Sequence, residues 1–355
     1  MKKIKVGLVG CGGIAKGAHI PAYLGIDGAE VVATCDIIKE RAESAAKTLG
    51  AKYAFTDYND LLNLYGVDMV DICTPNYLHP EIAIAALNSG LHVFSEKPDA
   101  MTVEQAMAMK EASEKSGRHL MVMRQWRYTN SCKYIKQYVA EGKCGDLYAG
   151  TCGWIRRRGI PGKGGWFTTK AQSGGGPLID LGVHIIDVTM WIMGNPKPVS
   201  VSGSVFTKFA DNEDPDDSKE AEFGDKKKDG TFDVEDLAMG IIKYDNGAIL
   251  QIEFSWASNI EKEYGFIEMR GSKAGFKWEG SNPANHLTLY TDDSVSLVPN
   301  IPSGKQPHAA NIRHFVEDVL IGGKEPEFKP EQGVEMIKIL TGIYKSAETG
   351  REVVF

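Results

Sequence analysis

Apolar residues gather in short runs at 4–9, 31–35, 69–73, 92–95 and 120–123, rich in Val and Ile and with little polar alternation. Runs of this kind predict strands covered on both faces. Between them, 39–49, 80–89 and 103–116 carry apolar residues at helical spacing, and Gly117 closes the last of these segments. Strand–helix alternation at this spacing predicts right-handed βαβ units in a parallel sheet.

Beyond Arg124 the rhythm changes. A helix is expected at 131–141 and strands at 147–157, 199–206, 237–244, 248–255, 265–271 and 287–290, with Asp245-Asn246-Gly247 as a hairpin turn between two of them. Consecutive strands joined by turns predict a mainly antiparallel sheet. The fold expected is therefore α/β: a doubly wound parallel sheet over 1–123, then an α/β domain with an open, mainly antiparallel sheet over 124–355. A terminal helix at 331–349, stopped by Gly350, either belongs to the second domain or packs back on the first. The segment 210–233 is rich in Asp, Glu and Lys and reads as a solvated excursion without chemistry of its own.

Composition narrows the function. The 355 residues are 43% hydrophobic and 25% charged, with formal net charge −7, which argues against nucleic acid as a partner. No run approaches the ~20 apolar residues that span a bilayer, so no membrane association is expected. The basic, then apolar, start lacks a long hydrophobic region and a cleavage signature, so no signal peptide is read. Cys11, Cys35, Cys73, Cys132, Cys144 and Cys152 form no C-x-x-C pair. They read as free buried thiols in a reducing cytoplasm, and no metal site is expected.

Gly10-Cys11-Gly12-Gly13-Ile14-Ala15 follows the first strand and opens a helical segment. Glycines there permit a tight turn and let the backbone approach a pyrophosphate at a helix N-terminus. The second strand ends in Asp36, about 20 residues on, where a carboxylate accepts the hydroxyls of the adenine ribose and repels a 2′-phosphate. Ile37 and Ile38 follow, with no adjacent Arg to hold such a phosphate. NAD is thus favoured over NADP. Thr74, Pro75 and Asn76, with His79 shortly after, stand at the carboxyl end of a parallel strand, and Glu96, Lys97 and Pro98 end the next. Both groups face the ligand crevice in such a sheet. The cofactor-binding set expected is Gly10, Gly12, Gly13, Ile14, Asp36, Ile37, Thr74, Pro75, Asn76, His79, Glu96, Lys97 and Pro98.

The segment 173–187, SGGGPLIDLGVHIID, leads into a stretch apolar nearly all round, predicting a buried helix. Its exceptions, Asp180, His184, Asp187 and Trp191, fall on one helical face. Burying a carboxylate and an imidazole costs several kcal/mol unless they are paired, so a site is expected there.

The G-x-G-x-x-A turn, T-P-N-x-x-H, E-K-P and G-G-G-x-L-x-D-x-G-x-H-x-x-D together resemble the glucose–fructose oxidoreductase / inositol dehydrogenase / rhizopine-catabolism (Gfo/Idh/MocA) family. The resemblance implies a Rossmann domain followed by an α/β domain whose open sheet mediates assembly into a homodimer or homotetramer. Lys97, Asp180 and His184 match the family's catalytic positions. The histidine at 184, where some members carry Tyr, makes inositol-dehydrogenase chemistry the closer analogue. An imidazole, ordinarily titrating near pH ~6.5, suits proton removal from a secondary alcohol, and a lysine cation suits the developing alkoxide. The expected substrate is a sugar, glycoside or cyclitol, lying between the domains. Arg127, Arg156 and Trp166 are candidate contacts for it. Two other readings use the same residues in part: a redox-assisted glycosidase of the same family, and a non-catalytic dinucleotide-binding sensor.

Overall fold

The computed structural model describes residues 3–211, 224–280, 286–293, 295–302, 304 and 306–355. The middle of the acidic excursion, 212–223, lies outside the described residues.

The chain forms two compact units, one of Met1–Gln125 with Lys305–Ile337, the other of Trp126–Gly304 with Lys338–Phe355. In the first unit, β1 (Ile4–Val9), β2 (Ala29–Cys35), β3 (Tyr53–Phe55), β4 (Met69–Ile72), β5 (His92–Ser95) and β6 (Leu120–Val122) make one sheet in the order β3-β2-β1-β4-β5-β6. Every pairing is parallel. This is the doubly wound Rossmann arrangement, and its strand order reverses between β1 and β4. Val6, Leu8, Met69, Val70, Ile72 and Val93 have no exposed surface, as strands covered on both faces require. Of the six strands in this sheet, β3, three residues long, is the one that the hydrophobic pattern does not mark.

The segment 305–337 belongs to the first unit; the sequence places 305–330 in the second domain and leaves open whether the helix at 331–349 packs back on the first. Packing explains the difference. Phe315 lies 5.6 Å from Phe94 of β5, ring centre to ring centre. Asn311 Oδ1 accepts the Arg124 amide at 2.7 Å, and the Arg124 guanidinium covers Phe328 at 4.8 Å. The terminal helix, Pro330–Thr349, is divided: it counts with the first unit as far as Ile337 and with the second from Lys338.

The second unit carries β7 (Leu147–Ile155), β8 (Pro198–Phe206), β9 (Leu237–Tyr244), β10 (Ile249–Ser255), β11 (Tyr264–Gly271), β12 (Ala274–Glu279), β13 (His286–Thr291), β14 (Ser296–Leu297) and β15 (Val353–Val354). They order as β14-β13-β12-β11-β7-β10-β9-β8-β15. Only the central β7–β10 pair among these is parallel. Gly247, at φ +83°, makes the turn between β9 and β10, as its sequence required. One face is buried, through Ile242, Leu250, Ile252 and Phe254. Ile343 of the terminal helix lies so close to β8 and β9 that a Cβ on Gly203 or Gly240 would come within 2.8 or 2.7 Å of it. The opposite face leaves Met239, Ile241 and Ile249 partly exposed. Among the described residues no helix is long and apolar enough to cross a membrane, and all six cysteines are free and buried.

Candidate active site

At the β1–β4 switch point, Gly10 has φ +90°, and a Cβ there would come within 2.6 Å of the Cys73 carbonyl. Glycine is therefore required for the turn to pass the end of β4. A Cβ on Gly12 would meet nothing within 4 Å, so the turn presents open backbone at the start of the following helix. The Cys11 amide donates to Asp36 Oδ2 at 2.8 Å and the Ile38 amide to Asp36 Oδ1 at 2.9 Å. These bonds fix the carboxylate beside the glycine turn and leave lone pairs on both oxygens for further donors. Thr74 Oγ1, just after β4, is buried and has no hydrogen-bond partner among the described residues. An open glycine turn, a fixed carboxylate and an unsatisfied hydroxyl at one end of a parallel sheet fit a dinucleotide. Gly13, Ile14, Pro75 and Asn76 lie in these same two segments, and Ile37 is 88% exposed beyond Asp36.

Two of the expected cofactor contacts turn inward instead. His79 has no exposed surface, and its ring nitrogens lie 2.9 Å from the Pro98 and Thr74 carbonyl oxygens. It braces the two strand-end segments against each other, and burial holds its pKa below the usual histidine value despite those two carbonyls. Glu96 is buried, and its carboxylate bonds His19 Nε2 at 2.8 Å and the Lys97 amide at 3.1 Å. Lys97, half-buried after β5, and the buried Pro98 complete that turn.

In the second unit the glycine-rich segment is shaped by Glu235, which sequence reasoning missed. The amides of Gly176 and Leu178 donate to its carboxylate at 2.9 and 3.2 Å, and the Tyr344 hydroxyl donates at 2.8 Å. Burial raises the Glu235 pKa against the pull of these donors. A Cβ on Gly175 would strike the Tyr344 hydroxyl, and one on Gly176 the Glu235 carbonyl. The loop enters a π-helical turn, Leu178–Gly182, continued by the α-helix Val183–Ile192. Such turns recur at functional sites because they re-aim side chains. Half-buried Asp180 lies on the π turn and accepts the Trp256 indole N–H at 3.0 Å. His184, 8% exposed, follows in the first turn of the α-helix.

The rest of that polar face is structural. Asp187 is buried and takes Arg127 through two parallel bonds, Nε–Oδ2 at 2.8 Å and Nη2–Oδ1 at 2.6 Å. Arg127 is 2% exposed, so the expected substrate contact is instead an internal ion pair. Arg156 is likewise buried: it donates to the Gly159 carbonyl at 3.1 Å, lies 3.7 Å from Glu263 and packs over Trp154. Trp166 stacks on Phe167 at 3.8 Å and stays half-buried. His19, Asp71, Tyr23 and Trp256 were also missed; each lies far along the chain from its partner, and no local pattern marks it.

A 3-2-1-4-5-6 parallel sheet with a glycine turn and carboxylate at its switch point, joined to a mixed α/β unit, defines a dinucleotide-binding Rossmann protein. Residues 4–124 match the Gfo/Idh/MocA oxidoreductase family's NAD-binding Rossmann fold and residues 136–355 its C-terminal alpha/beta domain, so the chain belongs to that family of enzymes. It is 32% identical over 351 residues to the D-glucoside 3-dehydrogenase of Escherichia coli (strain K12), covering 99% of this chain and 97% of that one. Over 290 residues it is 30% identical to the levoglucosan dehydrogenase of Pseudarthrobacter phenanthrenivorans, covering 77% and 73%. The crystal structure of an oxidoreductase domain protein from Kribbella flavida superposes with TM-score 0.86 at 26% identity, covering 100% of this chain and 99% of that one.

Proposed function

We propose that the chain is an NAD-dependent dehydrogenase acting on a secondary hydroxyl of a sugar, glycoside or cyclitol, with Lys97, Asp180 and His184 as its catalytic residues. The observation that carries this is the placement of Asp180, half-buried on a π turn and held by Trp256, and of His184, 8% exposed, in the first turn of a helix whose other residues are buried. Bound nicotinamide supplies the hydride acceptor. His184 takes the hydroxyl proton, Lys97 stabilises the alkoxide that forms, and Asp180 accepts a hydrogen bond from the substrate and orients it. Trp256 keeps the Asp180 carboxylate aimed. The two named relatives, a dehydrogenase of D-glucosides and one of levoglucosan, support a carbohydrate substrate.

NAD over NADP is supported by Asp36, whose fixed carboxylate repels a 2′-phosphate, and by Ile37, which offers no cation to hold one. The partly exposed apolar residues of the open sheet support a homo-oligomer formed through that face. Six free thiols suit a reducing cytoplasm. The deciding experiment incubates the protein with NAD and a panel of sugars, glycosides and cyclitols and follows both NADH and aglycone release. NADH formation with at least one member is expected. Aglycone release without net NADH, or no turnover with any member, would overturn the reading.

A further inference from the structure

A cluster of buried charged side chains in the first unit surrounds His19, a residue with no exposed surface that the reaction above does not use. Its Nδ1 lies 2.7 Å from Asp71 Oδ2, on β4, and its Nε2 lies 2.8 Å from Glu96 Oε1, at the end of β5. A carboxylate only accepts, so each ring nitrogen donates and His19 is an imidazolium. Burial opposes that charge, but the Asp71 carboxylate and the neighbouring Cys73 together outweigh it and raise the His19 pKa well above the usual value. The Tyr23 hydroxyl donates to the same Asp71 oxygen at 2.8 Å. On the other side, burial would push Glu96 up, yet the His19 hydrogen bond and charge, helped by His308 and Lys97, hold it down at about 2. His308, which couples electrostatically to Glu96, is lowered by burial, with Glu96 opposing and His19 and Lys97 adding to the effect. The second oxygen of Glu96 accepts the Lys97 amide at 3.1 Å. Asp71, His19, Glu96 and the Lys97 backbone therefore form one continuous chain of charge-assisted bonds.

We propose that His19 is a positioning residue for Lys97: pinned by Asp71, it fixes Glu96, and Glu96 in turn holds the backbone from which Lys97 projects and sets a negative charge beside it. The proposal rests on the reading of Lys97 as a catalytic group. A buried triad of charges is a poor stabiliser compared with apolar packing, so its presence beside the strand end calls for a role beyond folding. The other side of Lys97 is held by a second buried imidazole, His79, on the Pro98 carbonyl. Lys97 is thus anchored through both chain neighbours.

His19 and Cys73 also place ligand atoms with Asp71 within 4.8 Å of one another. Both His19 nitrogens already donate to carboxylates, which leaves the imidazolium no lone pair for a metal.

The test uses His19→Gln and Glu96→Gln, each alone and each combined with Lys97→Ala, with melting temperature, NAD affinity, kcat, KM and the pH profile of kcat measured on all. Each single variant is expected to bind NAD nearly as the parent does and to lose about 10–100-fold in kcat with KM little changed. Glu96→Gln keeps the acceptor for the Lys97 amide but loses the charge, so its kcat profile shifts along the pH axis. On the Lys97→Ala background the same substitutions cost less than about twofold, because the group they position is gone. A full loss on that background, or an unchanged kcat and pH profile in folded His19→Gln and Glu96→Gln, would overturn the proposal while leaving Lys97 catalytic. Unchanged turnover in Lys97→Ala alone would instead remove both. Zinc that raises the melting temperature of chelator-treated protein, but not of His19→Gln, would reassign the cluster as a metal site. If His19→Gln does not fold, Glu96→Gln decides alone.

Discussion

Trp256 donates its indole N–H to Asp180 Oδ2 at 3.0 Å, tying the π turn that carries the carboxylate to the chain just beyond β10. The bond spans 76 positions of sequence, and Trp256 has no exposed surface, so the donor is rigid. Trp256→Phe preserves most of the packing and removes only the N–H. It is expected to lower kcat by about 10-fold through a less well aimed carboxylate, with melting temperature changed little. Steady-state kinetics beside thermal unfolding checks this, and a variant with parental kcat would show that Asp180 needs no external donor.

The parts of this site set by local sequence could be read directly. The glycine turn, Asp36 at the end of β2 and Lys97 at the end of β5 each depend on a strand followed by a turn, and strand and turn are adjacent in sequence. The Asp180–His184 spacing was legible for the same reason, although the π turn between loop and helix was not. His19–Glu96 and Arg127–Asp187 were hidden because their partners lie 77 and 60 positions apart. Helical periodicity identifies a polar face, but it does not say which acid on that face will be consumed by a distant arginine. The docking of 305–337 on the first sheet is hidden likewise, since it depends on Phe315 finding Phe94.

Asp36 makes a prediction about cofactor choice. Its carboxylate, held by the Cys11 and Ile38 amides, would face a 2′-phosphate, and Ile37 is 88% exposed with no charge to offer. The parent is expected to bind NAD more tightly than NADP in calorimetric titration. Asp36→Ser combined with Ile37→Arg should move the preference towards NADP. Equal affinities in the parent would remove Asp36 as the determinant.

The Arg127–Asp187 pair is predicted to matter for stability in an asymmetric way. Both residues are at most 4% exposed, so removing one leaves an uncompensated buried charge. Arg127→Met alone should cost about 3–5 kcal/mol, whereas Arg127→Met with Asp187→Leu should recover most of that loss. Denaturant unfolding of the two variants checks the difference. A single variant of parental stability would return Arg127 to the list of substrate contacts.

The open sheet predicts self-association. Met239, Ile241 and Ile249 lie on the face opposite the buried Ile242, Leu250 and Ile252, and are 36–43% exposed in the isolated chain. Light scattering at micromolar concentration is expected to report a dimer or tetramer, and Ile241→Glu to dissociate it. A monomeric parent would show that this face needs no cover.

Lys97 and His184 carry the central prediction. If they act on the substrate hydroxyl, Lys97→Ala and His184→Ala should fold, bind NAD with little change and lose ~10²–10⁴ in turnover. Asp180→Asn, which keeps an acceptor for Trp256 but removes the charge, should alter turnover and its pH dependence together. A purely structural role for the Asp180–His184 pair forecasts the reverse: a lower melting temperature with turnover per folded molecule unchanged. A dinucleotide-binding sensor forecasts NAD binding with no turnover in parent or variants. Melting temperature, NAD affinity and turnover on the same preparations separate the three. Parental turnover in folded His184→Ala would take the histidine out of the proton transfer and leave Lys97 as the base.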